Sequence, residues 1–220
     1  MGSDTGDDAY SDIHLRALNC EVNPLTRSDG SAMLTQGETA VIASVYGPVE
    51  VKTQNLQIEN ATLDVCYRPK TGLPTITDRS RENVIKRICE TAILTALHPR
   101  TSIVVVIQEL ENRSGLEACA VNAVCLALLN GGIAMKFTVA GVHSILKEND
   151  EIVLDPDSKE SINALAHFTF VFDSLQRNVV AVNTQGKFNM AQYNDALTIC
   201  RAASGKIFEF YREIISKRPV

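Results

Sequence analysis

The sequence predicts an α/β fold, an α+β sandwich in which mixed β-sheets pack against three main helices. Short segments rich in β-branched residues open the chain and recur further along it. Three longer segments, at residues 78–98, 115–130 and 190–215, carry apolar residues at the three- and four-residue spacing of helices that cover a core. Such a succession of strand-like and helix-like segments is typical of sheets covered by helices, but it does not fix the topology.

The composition is that of a globular chain with enough apolar material for a core, since 45% of its 220 residues are hydrophobic. Residues 1–12 are acidic and polar, and we expect them to form a flexible tail. No linker rich in Pro, Gly or Ser interrupts the remainder, so we predict one domain over residues 13–220. The net charge of −5 argues against binding of nucleic acid through overall charge, so any such contact requires a local basic patch.

The cysteines are scattered, and their spacing matches neither a zinc site nor a disulfide framework. They are Cys20, Cys66, Cys89, Cys119, Cys125 and Cys200. This pattern favours reduced thiols in an intracellular protein, several of them buried, such as Cys89 and Cys125. The longest apolar runs are far shorter than a membrane span, and the acidic N-terminus differs from a signal peptide. We therefore expect no contact with a membrane.

The chain is predicted to open with a β-hairpin. Asp29 and Gly30 form a turn dipeptide, and Gly37 marks the next reversal. The β-branched residues 39–46 predict a strand that ends at the Gly-Pro pair that follows it. Two further strands, at residues 49–58 and 61–68, are predicted to continue an antiparallel meander.

Three helices are separated by strands in the rest of the chain. Asp78 is the candidate N-cap of the first helix, which His98 ends because proline follows it. The apolar run at residues 102–108 predicts a strand buried on both faces. Gly131 and Gly132 stop the second helix. The remaining predicted strands are residues 135–144, 152–154, 167–172 and 179–183.

Several ordered motifs resemble those of the RNase PH family. The opening stretch contains Arg-x-Asp-Gly-Ser from Arg27, Gly-x-Thr-x-Val from Gly37 and Val-Tyr-Gly-Pro-x-Glu ending at Glu50. Similar motifs are Tyr-Arg-Pro from Tyr67, Leu-His-Pro-Arg-Thr-Ser-Ile from Leu97 and Leu-Asp-Pro from Leu154. The resemblance covers nearly the whole chain after the acidic tail. It implies an RNase PH-like fold and a place in the six-membered ring of the eukaryotic RNA exosome.

The resemblance also implies where catalytic residues should lie. Active members degrade RNA from its 3′ end by phosphorolysis and hold phosphate with a Gly-Thr-Arg at the start of the second helix, where this chain has Glu117 at the Arg position. Their two metal-binding aspartates correspond to Ser161 and His167 here. Because Glu repels phosphate and Ser with a lone His does not replace a carboxylate pair, we predict no catalytic residue, metal or cofactor. His167 is favoured as a structural residue rather than a base.

Two acidic features have simpler interpretations. Ser114 and Glu117 have the spacing of a capping box, so we predict that Glu117 caps the second helix. Asp155, Asp157 and Glu160 could form a different cation site, although an acidic turn at the end of a strand is the favoured interpretation.

A basic cluster extends from the loop after the fourth predicted strand into the first helix. We predict that Arg68, Lys70, Arg79 and Arg81 contact the RNA backbone, and Arg81 falls near a family arginine that contacts phosphate. A solvated helix face with salt bridges to other subunits explains the same residues equally well.

The sequence as a whole therefore predicts a non-catalytic structural subunit of the exosome ring, which supports 3′-to-5′ RNA processing and decay, including that of rRNA, by other subunits. Its expected partners are other RNase PH-like subunits, exosome cap proteins and RNA, in the nucleus, nucleolus and cytoplasm. The alternative is a residual nuclease, either a phosphorolytic RNase or a metal-dependent hydrolytic RNase or DNase, and a homodimer is one open arrangement for it. A small-molecule phosphorylase rests on fold analogy alone.

Overall fold

Two β-sheets and four helices make up the described part of the computed structural model, which covers residues 14–51 and 56–217. The strands are β1 (Leu18–Val22), β2 (Gly30–Gln36), β3 (Thr39–Glu50), β4 (Thr62–Arg68), β5 (Thr101–Glu111), β6 (Val139–Lys147), β7 (Ile152–Leu154), β8 (Ala164–Asp173) and β9 (Val179–Gly186). The helices are α1 (Ile76–Ala92), α2 (Leu116–Asn130), α3 (Ser158–Ile162) and α4 (Met190–Ser216). The predicted fold class is confirmed, whereas the short α3 was not predicted. The predicted tail lies outside the described residues.

The first sheet has the strand order β1-β2-β3-β5-β4 and is antiparallel except for the pair β4 and β5. Parallel strands need a long crossover between them, and α1 supplies it. The predicted antiparallel meander is therefore wrong, because β4 pairs with β5 and not with β3.

β3 continues through Gly47 and Pro48, where the sequence predicts its end. Its register with β5 shifts at this point, and a bulge of this kind lets a strand accommodate proline. The separate strand predicted over residues 49–58 is wrong, because its first two residues belong to β3 and residues 56–58 form no strand. Residues 52–55 lie outside the described part.

β5 alternates between buried and half-buried side chains. Ile103, Val105 and Ile107 have no exposed surface, whereas Val104 and Val106 are half-buried. The prediction of a strand buried on both faces is therefore wrong, since one face of the first sheet covers the core and the other stays partly open.

The second sheet is antiparallel throughout, in the order β7-β6-β8-β9. Its predicted strands are confirmed with shifted ends. β6 begins at Val139 rather than at residue 135, because Met135 makes only an isolated bridge with Ile93. α2 contacts β2 and β3 of the first sheet and β6 of the second, whereas α4 packs on β6 and β8. The core therefore lies around α2.

α2 confirms the predicted second helix and is buried on nearly all sides. Between Leu116 and Leu128, Glu117 alone is not buried. Such a helix has no polar face because both sheets cover it. A Cβ at Gly141 on β6 would come within 3.1 Å of the Ala118 backbone, so a glycine at this position permits the close approach of α2 to the second sheet.

Asn122 is a polar residue with no exposed surface in the middle of α2. Its Oδ1 accepts a hydrogen bond from the Gly141 N–H at 2.7 Å, and its Nδ2 donates to the Gly141 carbonyl at 2.9 Å. The single O–H of Tyr211 on α4 is shared between two acceptors, the same Oδ1 at 2.9 Å and the Val139 carbonyl at 3.2 Å. These bonds lie on the part of β6 that β7 does not reach, and they join α2, β6 and α4.

α1 begins and ends earlier than the sequence predicts. Thr75 is the N-cap, and Asp78 is the third residue of a capping box with it, so the prediction of Asp78 as N-cap is wrong. The helix ends at Ala92 rather than His98, because Ile93 leaves the helix to bridge Met135. The tertiary pairing overrides the helical spacing of the apolar residues.

α4 confirms the third predicted helix, and part of the apolar stripe that predicts it faces the core. Cys200, Ser204, Ile207 and Tyr211 are buried along it. Within residues 14–51 and 56–217, we find no helix that is long and apolar enough to cross a membrane.

The six cysteines are free thiols. Cys89 and Cys125 are buried as predicted, and this burial raises the pKa of each thiol to about 12. Both therefore stay protonated and unreactive at neutral pH.

Replacing Asn122 with Ala should lower the free energy of unfolding by about 2–5 kcal/mol, because the buried groups of Gly141 and Tyr211 lose their partner. Urea unfolding followed by circular dichroism measures the effect. Tyr211→Phe removes only the hydroxyl and should cost about 1 kcal/mol. A change below about 0.5 kcal/mol for Asn122→Ala would contradict the network as a stabilising feature.

His143 should make the fold less stable at acidic pH. It is buried on β6, shares a hydrogen bond of 3.1 Å with Thr169 and stacks on His167. Burial, with a smaller contribution from His167, lowers its pKa from 6.5 to about 4. Between these two values the unfolded chain binds a proton that the folded chain does not bind. Stability is therefore lost as the pH falls through this window, by about 3 kcal/mol in total.

The measurement is the free energy of unfolding between pH 7.5 and pH 4. His143→Gln should lose less stability over this range than the wild-type chain does. His14→Gln, at an exposed position, should follow the wild-type curve. Equal slopes for all three proteins would show that His143 does not carry the effect.

Candidate functional site

A cleft of about 410 Å³ opens between the start of α1, the loop that leads into α2 and one face of the second sheet. α1 contributes Thr77, Ser80 and Arg81 to it, and the loop and first turn of α2 contribute residues 112–117. Its lining is mainly hydroxyl, amide, imidazole and charged groups. The cleft therefore suits a polar ligand rather than an apolar one.

Successive side chains of β8 point to opposite faces of the second sheet, and this alternation determines which of them reach the cleft. Phe168 and Phe170 pack against Tyr193 of α4, with ring centroids 6.4 and 5.5 Å apart. His167 and Thr169 therefore lie on the opposite face, since successive side chains of a strand alternate. Both of them line the cleft.

The strand register places the remaining side chains of this face. His143 on β6 and Asn183 on β9 lie on either side of Thr169, and Gln185 lies beside His167. All of these residues line the cleft. The sheet therefore forms a polar floor made of two imidazoles, a hydroxyl and two amides.

The four positions that the family resemblance singles out lie around this one cleft. They are Arg81, Glu117, Ser161 and His167. They come from α1, α2, α3 and β8, so the fold brings together residues that are far apart in the sequence.

The prediction that Glu117 caps α2 in a capping box with Ser114 is wrong. The N-cap is Gly115, in a left-handed conformation with φ of 65°, and no side chain caps the helix end. Ser114 therefore lies outside the helix, and its buried Oγ has no hydrogen-bond partner. The loop is held instead by Thr39, whose hydroxyl donates to the Ser114 carbonyl at 2.7 Å.

The Glu117 carboxylate points across the cleft to β9. The Asn183 Nδ2 donates to its Oε2 at 2.7 Å. Burial raises the pKa of Glu117, and the hydrogen bond from Asn183 and the Arg81 guanidinium oppose this rise. An acidic group thus stands at the helix start, where the family resemblance places a phosphate-binding arginine.

The four predicted RNA contacts lie in different settings. Arg81 is half-buried, lines the cleft and donates from Nη1 to Asp78 Oδ1 at 3.1 Å. Arg68, at the end of β4, and Arg79, on α1, are exposed. Lys70 pairs with Glu111. Arg81 is therefore the member of this set that the fold brings to the cleft.

The three acids considered as an alternative cation site are engaged separately. Asp155 is buried, and it accepts from the Arg16 N–H at 3.0 Å and from the Arg16 guanidinium at 2.5 Å. Asp157 and Glu160 form the capping box of α3, and Glu160 also pairs with Lys147 at 3.0 Å. Among the described residues no group of three His, Cys, Asp or Glu side chains is arranged to hold a metal.

Sequence reasoning missed Thr77, Ser80, Asn183 and Gln185 as members of the cleft. Short polar side chains in a strand or at a helix start carry no motif. The period-two alternation of β9 places Asn183 and Gln185 on one face, but only the pairing of β8 with β9 shows what that face meets.

Three comparisons with known proteins agree with this fold. The model of the 3′ exoribonuclease family, domain 1 (RNase PH), matches residues 14–134. The exosome complex exonuclease RRP46 homolog of Arabidopsis thaliana is 30% identical over 224 residues, which are 94% of this chain and 94% of that protein. The crystal structure of rice (Oryza sativa) Rrp46 superimposes with a TM-score of 0.89 at 31% identity and covers 93% of this chain and 96% of the rice chain.

A more distant likeness concerns the fold alone. The structure of the Archaeoglobus fulgidus exosome with RNA bound to the active site superimposes with a TM-score of 0.79 at 18% identity, over 90% of this chain and 89% of that chain. Because the family model covers more than half of the sequence and relatives match it over nearly all of its length, the chain belongs to the RNase PH family of 3′ exoribonucleases.

Proposed function

We propose that this chain is a non-catalytic subunit of an exosome core ring, which supports 3′-to-5′ RNA processing and decay, including that of rRNA, by other subunits. The observation that carries the proposal is the Glu117 carboxylate at the start of α2, fixed by Asn183 within the cleft. The near-complete match to RRP46 homologues from Arabidopsis and rice supports a place among exosome proteins.

Phosphorolysis requires inorganic phosphate close to the start of α2, and Glu117 opposes it. Two like unit charges about 4 Å apart repel by roughly 4 kcal/mol at an effective dielectric constant near 20. Exchanging an arginine for this carboxylate therefore turns an attraction into a repulsion of similar size. The helix N-terminus alone stabilises a bound anion by far less than such a charge pair does.

The described residues of the same cleft include no group of carboxylates that would hold the metal for a metal-assisted reaction. Ser161 and His167 stand where the family resemblance places the two aspartates, and neither supplies a carboxylate. Among the acids that precede Ser161, Asp155 is paired with Arg16 and Glu160 with Lys147. The proposed subunit therefore contributes structure and RNA contacts rather than chemistry.

The proposed partners are other RNase PH-like subunits, exosome cap proteins and RNA, and we expect the chain in the nucleus, nucleolus and cytoplasm. Arg81 in the cleft and the exposed Arg68, Lys70 and Arg79 nearby are the proposed contacts to the RNA backbone. The residual nuclease remains the second candidate, since the cleft persists with Arg81 in it and two relatives carry the name exonuclease.

The purified chain should release no product from uniformly labelled single-stranded RNA, with or without phosphate and with Mg²⁺ or Mn²⁺. Phosphate-dependent release of nucleoside diphosphates would overturn the non-catalytic proposal. Cleavage without phosphate that requires metal and is abolished by Asp157→Ala would support the hydrolytic alternative. Mixing the chain with other RNase PH-like subunits should yield a stable complex by size-exclusion chromatography with light scattering, whereas a homodimer that excludes them would contradict the ring role.

Arg81→Gln should weaken binding of single-stranded RNA and reduce the slope of log affinity against log salt by about 0.7, the loss of one phosphate contact. Fluorescence anisotropy at several salt concentrations gives both quantities. Arg212→Gln removes an exposed charge from α4, on the other side of the second sheet, and should leave both unchanged. Equal effects of the two substitutions would mean that Arg81 contributes only to overall charge.

A further inference from the structure

The cleft contains a pair of acceptor oxygens that no role proposed above uses. The Asn183 Nδ2 donates to the Oε2 of Glu117, and the Asn183 Oδ1 and the carboxylate Oε1 take no part in this bond. Neither of these two oxygens accepts a hydrogen bond from the described residues. The pair is held on rigid elements, since Glu117 belongs to the first turn of α2 and Asn183 to β9.

The 2.7 Å bond between the two side chains keeps these acceptors on neighbouring groups, and neighbouring acceptors suit a ligand with two adjacent donors. Among the four RNA bases, guanine alone presents two neighbouring N–H groups, N1–H and N2–H, on its Watson–Crick edge. Adenine and cytosine present one amino group beside an acceptor nitrogen, and uracil presents one N–H between two carbonyls. A carboxylate therefore repels at least one atom on the edge of each of the other three bases.

The second sheet supplies a surface on which such a base could stack. His167 lines the cleft half-buried, with its ring 5.7 Å from that of His143 and nearly parallel to it. Asn183 and His167 lie diagonally across the pair β8 and β9. Standard strand spacings place their Cα atoms about 8 Å apart. Burial lowers the pKa of His167, so its ring is neutral at pH 7 and suits a base rather than an anion.

The charges around the cleft favour a neutral ligand over a cation. A protein guanidinium also carries adjacent N–H donors, but Arg81 and Arg113 already line the cleft and would repel it. Guanine carries no charge, and its O6 and N7 acceptors can be served by Arg81 or Gln185. Arg81 has five N–H donors, and one of them is bound to Asp78.

We propose that this cleft recognises a guanine base of single-stranded RNA, with Glu117 and Asn183 accepting its N1–H and N2–H groups. The inference rests on the proposed RNA contact and adds base specificity to it. Glu117 becomes the residue that determines this specificity. The repulsion of phosphate by Glu117 is then a consequence of that role.

The test uses uridine octamers that carry one central guanosine, inosine or adenosine, with binding to the full chain measured by fluorescence anisotropy at neutral pH. Guanosine should bind at least about fivefold more tightly than adenosine, the lower end of the discrimination by a bidentate base contact. Inosine lacks the N2 amino group and should fall between them. Glu117→Gln keeps an acceptor for Asn183 but replaces the second oxygen by a donor, so it should abolish the preference. Glu90→Gln, at an exposed position on α1, should retain it.

The possible failures are distinguishable. RNA that binds without preference, or a preference that survives Glu117→Gln, would overturn the guanine site and leave the proposed RNA contact standing. Failure of all three octamers to bind would overturn both. Displacement of the guanosine octamer by argininamide at lower concentration than by GMP would identify a guanidinium site, which fits a protein side chain, and would also overturn the inference.

Discussion

The hydrogen bonding of Asn122 is the constraint on which both the core and the cleft depend. Its side chain must form hydrogen bonds with Gly141 on β6 and with Tyr211 on α4. These bonds fix the rotation of α2 about its own axis and its position along that axis between the two sheets. This placement carries the first turn of α2 to the edge of the cleft, where Glu117 meets Asn183 on β9. A buried polar network in the core thus determines where a carboxylate of the cleft lies.

A second polar cluster fixes the loop that leads into α2. The Thr39 hydroxyl bonds the Ser114 carbonyl, and the Arg16 guanidinium reaches the same carbonyl at 3.3 Å while it pairs with Asp155. Because a buried carboxylate is stable only when it is paired, Asp155 belongs to the fold rather than to a metal site. The loop before α2 is therefore held by Thr39 at the start of β3 and by Arg16 before β1, and Asp155 in turn holds Arg16.

The sequence predicts the positions of helices and strands better than it predicts which strands pair. Ile85 and Ile88 on α1, like the stripe on α4, follow the helical period, and this period reflects a local requirement to face the core. The parallel pairing of β4 with β5 depends on where α1 returns the chain, which no local pattern records. The expected cap of α2 failed for a similar reason, because Gly115 takes the N-cap position in a left-handed conformation and releases Glu117 toward a strand that follows 66 residues later.

The family resemblance points to positions 81, 117, 161 and 167, and the fold brings all four to one cleft. The polar groups of this cleft share one electrostatic trend. Burial raises the pKa of Glu117 and lowers those of His143 and His167, so in each case the surroundings favour the neutral form. A site for inorganic phosphate requires the opposite, namely fixed positive charge that outweighs desolvation. Glu117 is moreover oriented by an amide donor, the Nδ2 of Asn183. Arg81 and Arg113 line the cleft together with amides, imidazoles and the Glu117 carboxylate, and the hydrogen-bonding groups among them match the edge of a base better than a phosphate.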